Sequence, residues 1–154
     1  MKGLSLNSRY LKKWGGVMLG IVTSLLLVTG IVSAATAWVN GQAADLVLGQ
    51  ATFTTNATGA GLNQMNNPYG VTIDPTTHKV FVVDINNCRV LRFTSAATLA
   101  NGAAAEFQFG TTGGCTTTNA TFNFPLNLFV DSVGRLWVVD RGNKRVLRFD
   151  NAAT

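Results

Sequence analysis

Residues 79–98 read KVFVVDINNCRVLRFTSAAT, and residues 135–154 read RLWVVDRGNKRVLRFDNAAT. Ten of the last 15 positions in these two stretches are identical, where unrelated chains of this composition share about one. The second stretch is therefore a copy of the first, and internal duplication is a stronger guide to fold than any local motif. In both copies the opening residues, Val80-Phe81-Val82-Val83 and Leu136-Trp137-Val138-Val139, are apolar without alternation. A strand apolar on both faces has to be covered on both faces.

The duplication extends upstream. Pro68-Tyr69-Gly70-Val71-Thr72-Ile73-Asp74 answers to Pro125-Leu126-Asn127-Leu128-Phe129-Val130-Asp131, and Ala44–Gly49 answers to Ala105–Gly110. Each unit is predicted to supply four short strands, at a repeat length near that of a propeller blade. Only 12% of the 154 residues are charged, and the apolar runs are short and bounded by Gly, Asn, Asp or Pro. That composition favours strands and turns, and no helical periodicity appears after residue 34. The expected fold is all-β over residues 35–154, with repeat 1 at about 45–104 and repeat 2 at about 105–154.

The order Pro, apolar strand, Asp, short turn, an apolar strand ending Val-Val-Asp, then Asn-x-Arg-Val-Leu-Arg-Phe resembles the NHL repeat of β-propellers. The match is sharpest at 68–93 and 125–149. The resemblance implies two four-stranded blades, each small sheet packed between neighbours. Two blades do not close a ring, and open blades leave apolar faces and unpaired edges bare. The segment Asp45–Gly49 reads as a spare outer fourth strand, while the last blade stops after a third, Lys144–Phe149. The chain is therefore expected to be the amino-terminal part of a longer protein. The alternative is a homo-oligomer in which copies associate head to tail and complete the propeller, three copies giving six blades.

Asp84, Asn87 and Arg89 recur as Asp140, Asn143 and Arg145 at the turn between second and third strands. Because the set repeats once per blade, its expected role is structural: Asp and Asn satisfying turn amides, Arg reaching an adjacent carboxylate. Asp74 and Asp131, ending the first strands, are read the same way. With strands alternating in direction, the loops holding Cys88 and Cys115 open on one face. Neither cysteine has a counterpart in the other repeat, so a Cys88–Cys115 disulfide is expected, against two free thiols or pairing with another chain.

Lys2, Arg9, Lys12 and Lys13 precede an apolar run, 17–32, that ends in Val-Ser-Ala. Basic residues before such a run read as a secretory leader, a signal helix over 1–34 cleaved after Ala34. The competing reading is an uncleaved signal anchor, the one route to a membrane. Removing the leader takes four basic residues and no acidic one, so the net charge falls from +5 to about +1. The basic pI of 9.7 belongs largely to the leader, and nucleic acid is not an expected partner.

Nothing in the sequence marks a catalytic centre, cofactor or metal site. His78, the single imidazole, falls in a turn and reads as a surface residue. Asn56-Ala57-Thr58 and Asn119-Ala120-Thr121 match the glycosylation acceptor pattern in equivalent loops, a match their Thr and Asn content explains. The loops 51–67 and 111–124 are long and polar, the usual place for recognition on a rigid sheet. The expected function is a secreted, periplasmic or surface-exposed module that binds a protein or small ligand. Its binding face carries those loops and the turns Asn86-Asn87 and Gly142-Asn143. The alternatives are a fragment of a metal-dependent lyase or lactonase-like propeller enzyme, or a structural scaffold.

Overall fold

Among the described residues seven strands form where the chain runs apolar between turn residues: β1 Pro68–Ile73, β2 Lys79–Asp84, β3 Arg89–Ser95, β4 Phe107–Gly110, β5 Pro125–Val130, β6 Leu136–Asp140 and β7 Arg145–Phe149. The computed structural model describes residues 39–154. The expected leader, signal helix and cleavage site lie outside the described residues. Ala43–Thr154 form one unit. It is all-β, with two antiparallel sheets ordered β1-β2-β3-β4 and β5-β6-β7, consistent with two propeller blades.

Equivalent strands keep equivalent registers: Val82 pairs with Leu91 in the first sheet, and Val138 with Leu147 in the second. Between second and third strands each sheet makes a single 3-10 turn, Ile85–Asn87 or Arg141–Asn143. The residue that follows, Cys88 or Lys144, is left-handed at φ 53° or 55°, and its N–H returns to the first carbonyl of the turn. That bond closes the turn and starts the next strand in register.

The first sheet has the four strands expected of a blade, the second stops after its third strand as its sequence predicts, and one expected strand is corrected. The second sheet has three strands, with β7 at its edge. The segment Ala44–Gly49, expected to be a strand, is irregular. Its neighbour in space is a turn and not a strand: the Val47 N–H donates to Asn101 Oδ1 (2.9 Å), and the Val47 carbonyl accepts from the Gly102 N–H (3.0 Å). A ladder needs a second extended backbone alongside, and among the described residues no strand pairs with this segment.

The sheets stack face to face. Phe81, Val83 and Val90 of the first meet Leu128, Val130, Leu136 and Val138 of the second, joined by Phe122 from the loop before β5. Phe109 and Phe149 fill the outer part of this core, their rings 5.2 Å apart and tilted. On the far side of the first sheet a smaller core gathers Val80, Val82, Leu91 and Phe93 beneath Met65 and Ala105, with Leu48, Ala96 and Leu99 at its margin. Strand β1 lies against β5, and the approach is close. A Cβ on Gly70 would stand 3.2 Å from the Asn127 Cα and from the Leu126 carbonyl oxygen, so a larger residue there pushes the sheets apart.

Phe81 and its counterpart Trp137 separate the two packing environments, because Phe81 is fully buried and Trp137 only partly. Phe81→Ala is expected to cost about 3–5 kcal/mol by urea unfolding of the full chain. Trp137→Ala should cost clearly less, and equal losses would contradict this assignment of the core.

Candidate functional site

At one end of both sheets, the repeated Asp, Asn and Arg anchor the long loops. Asp84, at the end of β2, is fully buried. Its Oδ2 accepts from Asn87 Nδ2 (2.8 Å) and Arg89 Nε (2.9 Å), and its Oδ1 from the Asn66 N–H (2.7 Å). The rest of the Arg89 guanidinium is spent on loop groups. Nη1 donates to the Ala60 carbonyl (2.8 Å), Thr112 Oγ1 (3.1 Å) and Gln108 Oε1 (3.2 Å). Nη2 donates to the carbonyls of Gly61 (2.9 Å) and Gln64 (3.0 Å). Asn87 Nδ2 also reaches the Gly59 carbonyl at 2.8 Å. A buried ion pair is tolerable when its remaining donors are satisfied, and here the loop backbone satisfies them.

The second repeat builds the same device more openly. Asp140 Oδ2 accepts from Asn143 Nδ2 and Arg145 Nε, both at 2.8 Å, and Oδ1 from the Asn123 N–H at 2.7 Å. Arg145 Nη2 donates to the carbonyls of Thr121 (3.1 Å) and Thr118. Asn143 donates to the Thr116 carbonyl (3.3 Å) and accepts from Thr117 Oγ1 (2.6 Å). Asp140 is buried while Arg145 stays partly exposed. Sequence reasoning found the anchoring residues and missed what they hold. The one signal for it was the pair Asn66-Asn67-Pro68 and Asn123-Phe124-Pro125, an Asn two residues before each strand-opening Pro.

Cys88 and Cys115 are joined in a disulfide. It ties the turn after β2 to the loop that follows β4. Gly110, at φ 82°, opens that loop, where a Cβ would lie 2.7 Å from both the Cys88 carbonyl oxygen and the Phe122 ring. Of the four residues expected on the binding face, Asn86 and Gly142 are exposed, whereas Asn87 is buried and Asn143 half-buried. The last two spend their amides on the loops. The side chains exposed on those loops include Phe53, Leu62 and Phe124. Asn56 and Asn119 are exposed but not equivalent: Asn56 lies before Gly59, the loop carbonyl bound by Asn87, and Asn119 after Thr116, the one bound by Asn143.

The opposite end of the sheets carries Asp74 and Asp131, each serving its own turn. Burial opposes ionisation of Asp74, but the Thr77 N–H and hydroxyl, the Thr76 N–H and nearby His78 hold its pKa below the usual carboxylate value. Partial burial likewise opposes ionisation of Asp131. Trp137 Nε1 (3.0 Å), Arg135 Nε (2.7 Å) and the N–H groups of Arg135 and Val133 hold its pKa well below that value. In the first repeat the positions of Arg135 and Trp137 hold Lys79 and Phe81, and Asp74 Oδ1 is left buried with no partner among the described residues. A cavity of about 220 Å³ lies beside it, between the two turns, lined by Thr76, Thr77, Ser132, Val133 and Gly134 among others. His78 is exposed in the β1–β2 turn.

Arg89→Ala leaves the Asp84 carboxylate buried and uncompensated, at an expected cost of about 3–5 kcal/mol. Arg145→Ala should cost less, and limited proteolysis should open residues 59–64 in the first variant and 116–121 in the second. Reduction of Cys88–Cys115, which spans 27 residues, is expected to lower stability by roughly 3–4 kcal/mol in the chain-entropy account. Alkylation of both thiols without reductant would contradict the bond.

No family model matches the chain. Two named proteins do. It is 37% identical over 98 residues to the mouse (Mus musculus) NHL repeat-containing protein 3, an alignment covering 60% of the chain and 25% of that protein. It is 58% identical over 31 residues to the human (Homo sapiens) NHL repeat-containing protein 3, covering 20% of the chain and 9% of that protein. The chain thus matches about a quarter of the length of the mouse relative or less than a tenth of the human one. These likenesses, at modest identity, support placing the chain among NHL-repeat proteins.

Proposed function

We propose that this chain is an exported NHL-type propeller module that binds a protein or small ligand through its loop-bearing face, outside the cell, in a periplasm or on a cell surface. One observation carries the reading. Two long loops that expose Phe53, Leu62 and Phe124 are fastened to the sheets through Arg89 and Arg145. A loop fixed in advance loses little entropy when a partner docks, and exposed apolar side chains on a rigid frame supply the contact area. The disulfide suits an oxidising compartment. NHL repeats in the similar mouse and human proteins fit a propeller-type interaction role.

Protein recovered from medium or periplasm is expected to begin at Ala35; a full-length leader on cell-bound protein would argue against export. For binding, the displayed chain is panned against extracellular proteins and oligosaccharides. Leu62→Asp and Phe124→Asn are each expected to weaken a retained partner at least about tenfold, while Val133→Asp at the other end leaves it unchanged. A partner indifferent to both loop variants would sink the assignment of this face.

A further inference from the structure

The sequence contains two Asn-Gly steps, Asn40-Gly41 and Asn101-Gly102, and each occupies the centre of a four-residue turn. The Gln42 N–H donates to the Val39 carbonyl at 3.1 Å, and the Ala103 N–H donates to the Ala100 carbonyl at 3.1 Å. Both glycines are left-handed, Gly41 at φ 74° and Gly102 at φ 69°, the backbone that the third position of such a turn asks of glycine. Local geometry makes the two steps chemically alike.

Their surroundings differ. Asn101 Oδ1 accepts from the Val47 N–H (2.9 Å), and the Gly102 N–H donates to the Val47 carbonyl (3.0 Å). One residue of the irregular segment 44–49 thus holds both the side chain and the backbone nitrogen that follows it. The chain also closes over this turn, since a Cβ on Gly102 would stand 3.2 Å from the Ala51 Cα and 3.3 Å from the Gln50 carbonyl oxygen. At the first step Asn40 and Gly41 are exposed. Among the described residues a Cβ on Gly41 would meet nothing within 4 Å, and neither the Asn40 amide nor the Gly41 N–H has a hydrogen-bond partner.

We propose that Asn40 is a site of spontaneous modification to aspartate and isoaspartate, and that Val47 protects Asn101 from the same reaction. The Gly41 nitrogen attacks Asn40 Cγ. The N–Cγ bond forms, the Cγ–Nδ2 bond breaks, and ammonia leaves with the proton that the glycine nitrogen gives up. Water then opens the five-membered imide at either of its carbonyls, and both products carry a carboxylate where the amide was. Attack requires the nitrogen and the carbon to reach about 3–3.5 Å in a productive orientation, and glycine has no Cβ to hinder that approach. At Asn101 the amide is held on Val47, and the N–H whose proton must leave is already donated. Reaction there waits for the segment 44–49 to open locally. The modification goes beyond recognition by the loops and stands or falls separately from it.

The full chain with its disulfide intact is incubated in mildly alkaline buffer. Isoaspartate is measured in the peptides that carry each step, and ion exchange resolves the more acidic form. Conversion at Asn40 is expected to run at least about tenfold faster than at Asn101. In urea strong enough to unfold the chain the two rates are expected to converge. Val47→Pro removes the donor to Asn101 and is expected to speed conversion there while leaving Asn40 unchanged, with folding checked by retention of the Cys88–Cys115 bond and a cooperative urea transition. Equal rates in the folded chain would overturn the proposal. So would a difference that persists after unfolding, or an Asn101 rate indifferent to Val47→Pro in a folded variant. Should that variant not fold, the comparison of folded and unfolded wild-type chain decides.

Discussion

A guanidinium held against a buried carboxylate is the interaction on which both halves of the structure depend. Bringing Arg89 and Asp84 out of water is costly, and the cost is offset only when the remaining N–H groups find acceptors. Gln108 and Thr112 supply part of that need, and the backbone of residues 60–64 supplies the rest. The same carboxylate holds the Asn66 N–H, two residues before β1 begins. One ion pair therefore fixes the end of a strand, the turn after it and the loop before the sheet.

The two repeats run this device at different depths. Around Arg89 the pair is closed off and the adjacent turn is tied by a disulfide; around Arg145 the arginine keeps part of its surface in water. Position 88 is cysteine in one copy and its counterpart 144 is lysine in the other, on the same left-handed backbone. The scaffold is common to both, and what a copy adds to it is written in single positions. At the other end the difference is reversed. Asp131 collects donors from Arg135 and Trp137, while Asp74 has Lys79 and Phe81 at those places, and Lys79 goes to Glu106 instead.

Much of the fold was legible because a duplication reports the same structure twice. The strands at 68–73, 79–84 and 89–95 and their copies were visible as apolar runs, and the repeated Asp, Asn and Arg were visible as identities. The Arg89 contacts to Ala60, Gly61 and Gln64 were not, because backbone carbonyls carry no side-chain signature. The segment Ala44–Gly49 misled for a related reason: it has the pattern of a strand, and a pattern does not provide the neighbouring backbone. Asn87 and Asn143 carry two expectations, a structural place in the turn and a place on the binding face, and the structure spends their amides on the turn carboxylates and the loop carbonyls. The exposure of Leu62 and Phe124 depends on how the arginines fold the loops, which no local window of sequence contains.

The segment that duplicates in the sequence and the sheet that folds are out of phase. Phe107–Gly110 corresponds in sequence to the segment before β1, yet it hydrogen-bonds to β3 as the last strand of the first sheet. A cut between the two copies of the repeat, at about residue 104, leaves the first sheet without its last strand. Opening the first sheet must peel away β4, which is continuous with the loop leading to β5. Loss of order therefore passes along the covalent chain as well as across the packed faces. In mechanical terms the sheets are stitched: besides the core packed between them, the covalent run from β4 to β5 and the Cys88–Cys115 bond tie the first sheet to the loop that enters the second.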